Sequence, residues 1–209
     1  MSRVRRRPVW RRLIWSPPFL VACPSIADAH APIKGMEGFY QGLAYPFVTP
    51  AQMLLLLALG LLAGGFETER IRWFLAVFLI AMLGGIFAMT VSDAVVVALL
   101  GLAVGASALA ALAPGRFHPV VLAVMAAGGF LIGAMARDPG PWLEQVAVIL
   151  GTFLGANFGL LLFAVGPDLV KEQAPWSWVP IAFRVAAAWV AAIALLLLAL
   201  KFAPPPAAG

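Results

Sequence analysis

The chain of 209 residues is 63% hydrophobic and only 11% charged, with a mean hydropathy of +0.99, which is more apolar surface than one soluble core can hide. Its formal charge of +5 is concentrated in Arg3, Arg5, Arg6, Arg7, Arg11 and Arg12; the rest is close to neutral, which leaves a nucleic-acid-binding surface without support. Composition predicts an all-α membrane protein whose first partner is the lipid bilayer.

The basic start runs into an apolar stretch ending in Ala27, Asp28 and Ala29, the pattern of a secretory signal peptide over residues 1–29, cleaved before His30. Two alternatives stay open: Leu20, Val21, Ala22 and Cys23 also fit a lipoprotein cleavage box, and the segment could stay as an uncleaved anchor. Cys23 is the only cysteine, so cleavage would leave no disulfide and no thiolate metal site. Residues 30–49 form an aromatic, proline-punctuated lead-in, and 50–202 a six-transmembrane-helix bundle with a disordered tail at 203–209.

The first span, 50–65, is short unless its helix begins near Gly42, in which case Pro46 is expected to kink it. Spans follow at 73–91, 94–113, 119–136, 142–165 and 178–202, with only Ser92 and Asp93 between the second and third. Cleavage before His30 would put the mature N-terminus in the periplasm. Arg70, Arg72, Arg116 and Lys171 then lie in the cytoplasm and Lys34, Arg137 and Lys201 outside, a slight bias in the expected direction. Trp73, Trp142, Trp176 and Trp178 fall at helix ends as interfacial anchors. Glycines spaced by four, at Gly101/Gly105, Gly129/Gly133 and Gly151/Gly155/Gly159, are expected to let helices approach closely.

Polar residues within the spans are scarce. Arg184, roughly two turns into the sixth helix, needs a partner: a salt bridge to Asp168, Glu172, Glu67 or Glu69 on the expected side, snorkelling to cytoplasmic lipid phosphates, or direct contact with a substrate. Asp93 and Glu144 begin helices, where a carboxylate complements the dipole. After cleavage, His30 would offer an α-amino group and an imidazole to Cu²⁺ or Ni²⁺, completed by Asp93, Glu37 or Gln52. His118 is expected in a solvated turn. No metalloprotease, nucleophile-elbow or phosphate-loop motif is present, which argues against an enzyme.

The run AHAPIKGMEGFYQGLAYPFVTPAQMLLLLALGLLAG resembles the opening of the HupE/UreJ hydrogenase and urease accessory membrane proteins. It is most similar to the subgroup whose first helix reads H-P-x-x-x-P-x-H. GTFLGANFGLLLF at 151–163 and IAFRVAAAWVAAIALLLLAL at 181–200 resemble that subgroup's last two helices. The resemblance implies a six-helix protein of the bacterial inner membrane that takes up nickel or cobalt. Tyr45 and Gln52, however, stand where the subgroup has its two histidines, and Ala51 where the other branch has a carboxylate. A phenol and a neutral amide are weak ligands for Ni²⁺ and Co²⁺. Two expectations follow. One is a small permease for a divalent metal or another small solute, with a path past Tyr45, Gln52, Asp93, Asn157 and Arg184. The other is a non-transporting accessory subunit in a homo-oligomer or a larger membrane complex.

Overall fold

The computed structural model describes residues 38–88, 92–136, 142–173 and 176–203. The signal-peptide segment, His30 and the tail from 204 onward lie outside the described residues. All regular structure among the described residues is helical: α1 (Phe39–Val48), α2 (Pro50–Ala63), α3 (Thr68–Ala88), α4 (Asp93–Leu112), α5 (His118–Ala134), α6 (Trp142–Gln173) and α7 (Val179–Phe202).

The first predicted span is two helices whose axes bend by 72°. The break falls at Thr49 rather than at Pro46, which sits buried inside α1. Thr49 precedes Pro50, whose ring disfavours helical geometry in its neighbour, and Thr49 is accordingly extended at φ −87°, ψ 110°. Pro50 then opens α2 at a first-turn position, where a missing N–H costs nothing. Further on, Pro167 fails to end a helix: the predicted fifth span continues as α6 through Pro167 to Gln173, 32 residues in all.

Among the described residues, four helices, α3, α4, α6 and α7, are long and apolar enough to cross a membrane, or five if the bent pair of α1 and α2 is counted as one span. With 17 residues, α5 reaches about 26 Å, short of a hydrocarbon core of about 30 Å.

The centre of the bundle is α2, which packs against α1, α4, α5, α6 and α7. Leu55, Leu56, Ala58, Leu59 and Leu62 are fully buried. The outer helices turn large apolar side chains outward, among them Phe158 and Leu162 of α6 and Trp189 and Leu196 of α7. An apolar exterior around a buried apolar helix is the burial pattern of a bundle solvated by lipid.

Glycine sets the closest helix contacts. On α5, a Cβ at Gly129 would collide with the Phe78 carbonyl of α3, and one at Gly133 with the Met82 carbonyl. On α6, Gly151 and Gly155 meet the backbone of α1 at Phe39 and Leu43 in the same way. Gly101 and Gly105 of α4 face open space.

These contacts fix the directions of the helices. Gly159 faces Leu56, Gly60 faces Phe163 and Gly64 faces Pro167, so α2 and α6 run parallel in constant register. α3 and α5 are also parallel. α4 and α7 are antiparallel, Arg184 reaching Ala111 at one end and Lys201 reaching Asp93 at the other. The connections after α2 and α4 meet where Gly65 lies against Gly115, and Thr68 Oγ1 donates to Asp168 Oδ2 at 3.2 Å at this same end.

Candidate solute site at the broken helix

The break leaves backbone donors inside the protein. Met53 N–H closes the first α2 hydrogen bond onto the Thr49 carbonyl at 3.0 Å. Pro50 has no N–H, so the N–H groups of Ala51 and Gln52 are the first-turn donors without an intrahelical acceptor. Thr49 makes no side-chain cap to them. Ala51 is 6% exposed and Gln52 0%, which places the positive end of the α2 dipole within the bundle.

Gln52 is the unusual residue of this turn. Both its Oε1 and its Nε2 are buried without a hydrogen-bond partner. Leaving such groups unpaired costs about 1–3 kcal/mol each, and apolar residues fill almost every comparable position of α2.

Thr152 of α6 is the nearest comparable group by register. It is 0% exposed and its hydroxyl is likewise unpaired. Seven residues before Gly159, it shares the side of α6 that receives Phe47 and Leu56. Gln52 lies one turn before Leu56, so the α2–α6 register sets the two polar groups within about one turn of each other along this seam. Ser107 of α4, one turn from Ala110, carries the second buried, unpaired hydroxyl among the described residues. The sequence reading missed both hydroxyls: a lone Ser or Thr within a span usually bonds its own helix, and nothing local marks one that does not.

The sequence-predicted site residues divide among separate places. Tyr45 and Gln52 sit on the two arms of the break; Tyr45 is half-buried and its carbonyl accepts from Thr49 N–H at 3.1 Å. Asn157 is turned roughly 140° around α6 from Thr152. Its Nδ2 donates to the Phe153 carbonyl at 2.8 Å and lies 3.8 Å from the Met82 sulfur of α3. Asp93, at the α4 N-terminus, pairs with Lys201 at 3.0 Å, joining an acid at one helix start to a base at another's end. Glu144 is exposed in the first turn of α6.

Arg184 finds different partners from the carboxylates expected. Its Nε donates to the Ala111 carbonyl at 2.9 Å and its Nη2 to the Leu112 carbonyl at 3.4 Å, closing the C-terminus of α4. A cation at the negative end of a helix dipole is held without a carboxylate. His118 is also placed differently, as the first residue of α5, with its ring 5.2 Å from Phe74 and 6.1 Å from Phe66.

Among the described residues, no three His, Cys, Asp or Glu side chains are grouped to hold a metal ion. Comparison with known proteins gives no matching protein-family model, no matching curated protein and no matching solved structure. The class defined here is therefore structural: an all-helical bundle of membrane-spanning character around a discontinuous, buried central helix.

Proposed function

We propose that this protein is a small-solute permease of the membrane, its substrate passing the break between α1 and α2. The observation that carries this reading is Gln52, a fully buried amide with neither atom paired, in the first turn of a helix that begins inside the bundle. Discontinuous helices whose ends point at the substrate are how many transporters build a site within the bilayer. An uncompensated amide kept at such a place is readily understood as a substrate contact.

The chemistry of the donors favours one kind of cargo. Backbone N–H groups, a positive dipole end, a carboxamide and a hydroxyl suit an electronegative or hydrogen-bond-accepting group. Ni²⁺ or Co²⁺, the cargo implied by the resemblance to HupE/UreJ proteins, would find only weak neutral oxygen ligands at Gln52, Thr152 and Tyr45. A small polar solute thus ranks ahead of a bare divalent cation. In this reading the bent pair and α5 also cross, making six crossings, and the end bearing Arg70, Arg72, Arg116 and Arg184 faces the cytoplasm.

The test is flux through purified protein in liposomes, measured with urea and glycerol by stopped-flow light scattering, with chloride, and with Ni²⁺ and Co²⁺ uptake. The expected result is flux of a neutral solute or chloride that falls at least tenfold in Gln52→Leu. A second reading, an accessory subunit, is favoured by the open Gly101 and Gly105 face of α4. Folded protein that carries none of these solutes would hand the argument to that reading.

A further inference from the structure

At the opposite end of α2 from Gln52, a groove of about 350 Å³ opens between α2, α4, α6 and α7. Its walls are apolar, built from Leu61, Ala110, Pro167 and Phe183, and among the described residues the one charged side chain that lines it is Arg184. Proline recurs along the walls, so they offer few backbone N–H donors. A molecule seated here would meet hydrocarbon along most of its length and a guanidinium at one place.

Arg184 has capacity to spare. Of the five guanidinium N–H donors, those on Nε and one on Nη2 serve the α4 carbonyls, leaving both on Nη1 and the second on Nη2. The side chain is exposed, and no acidic side chain lines the groove among the described residues. Close by in the chain, Trp176 and Trp178 are exposed and stack on each other with ring centroids 5.6 Å apart, just before α7 begins. Exposed indoles at a helix end mark the headgroup level of a bilayer, which sets Arg184 about two turns below it. The helix on which Arg184 stands is held mainly by α4, less by α2 and least by α6, and the groove lies among these four helices.

We propose that the groove is a binding site for an anionic phospholipid, its phosphate on the free N–H groups of Arg184 and part of an acyl chain against Leu61, Ala110 and Phe183. The pairing of a fixed cation with an apolar trough selects an amphiphilic anion over both a free anion and a neutral lipid. The lipid joins α7 to α2 and α6, where protein contacts are sparse. This inference is independent of whether the protein transports a solute.

The test is native mass spectrometry of the purified full chain with dioleoyl phosphatidylglycerol and, separately, dioleoyl phosphatidylcholine. Wild type is expected to retain phosphatidylglycerol at least tenfold more strongly, and Arg184→Gln to abolish that preference. Arg116→Gln, which removes an exposed cation outside the groove, is expected to retain it. Because Arg184 also caps α4, Ala110→Phe provides a second variant that fills the groove while leaving Arg184 in place, and it too should lose the lipid. Equal retention of both lipids by wild type would overturn the proposal. So would preference surviving in Ala110→Phe, or displacement of the lipid by millimolar inorganic phosphate, which would make this a site for a free anion.

Discussion

Under the proposed permease reading, Gln52 brings stability and function into opposition at the scale of a single side chain. Its amide is desolvated and unpaired, so replacing it with leucine, of similar size and matched to its neighbours, removes a penalty rather than a contact. Gln52→Leu is expected to stabilise the protein by about 1–3 kcal/mol, read as a higher midpoint of thermal unfolding in detergent, while lowering the proposed flux at least tenfold. A destabilised variant would mean that the amide has structural partners and would remove the reason for a site here. Gln52 was legible in the sequence because it is the only polar side chain between 51 and 65. Its isolation was not legible, and neither were the partners of Arg184 and His118, which lie 72 to 73 residues away for Arg184. Local pattern shows that a group must be satisfied, not where the partner comes from.

Elements show the same division between what spacing reveals and what packing decides. Three glycine series with equal spacing read alike in sequence, yet those on α5 and α6 are spent in close helix contact, mostly with backbone, and the one on α4 is open. Gly129→Ala would drive a methyl into the Phe78 carbonyl, and backbone cannot swing aside as a side-chain tip can. It should cost about 1–3 kcal/mol of stability. Gly101→Ala meets nothing and should be neutral or gain up to about 1 kcal/mol from helix propensity. Unfolding of the two variants under one detergent condition checks both, and equal effects would contradict the packing described. Helix boundaries followed the same rule. Hydropathy located the apolar runs, but not that the first would break at Thr49 or that α6 would pass through Pro167, because both outcomes depend on neighbours. The seam with α6 holds α1 in its own direction through Gly151 and Gly155, while Pro50 releases Thr49 from helical geometry.

For the whole molecule, the arrangement of ends constrains how the chain lies in a bilayer. Gly38, at the start of α1, is beside Ala147 near the start of α6, and Asp93 joins Lys201 at the end of α7. The first and last described helices therefore begin and finish at one end of the bundle, where the charged side chains among the described residues are Asp93, Glu144 and Lys201. At the other end, Arg70, Arg72 and Arg116 gather with Glu67, Glu69 and Asp168 around the contact between Gly65 and Gly115. Cationic residues favour the cytoplasmic face, whereas acidic ones have little influence, so the Arg-rich end is the one expected inside. Charge counts in the sequence hinted at this only slightly; the antiparallel pairing of α4 with α7 adds Arg184 to the same end. Single cysteines introduced at Glu144 and at Arg116, in a Cys23→Ser background, test the assignment, since both positions are exposed. In intact spheroplasts a membrane-impermeant maleimide should label the position 144 variant and spare the position 116 variant until the membrane is opened. The reverse pattern would invert the protein, moving the Arg184 groove to the outer leaflet.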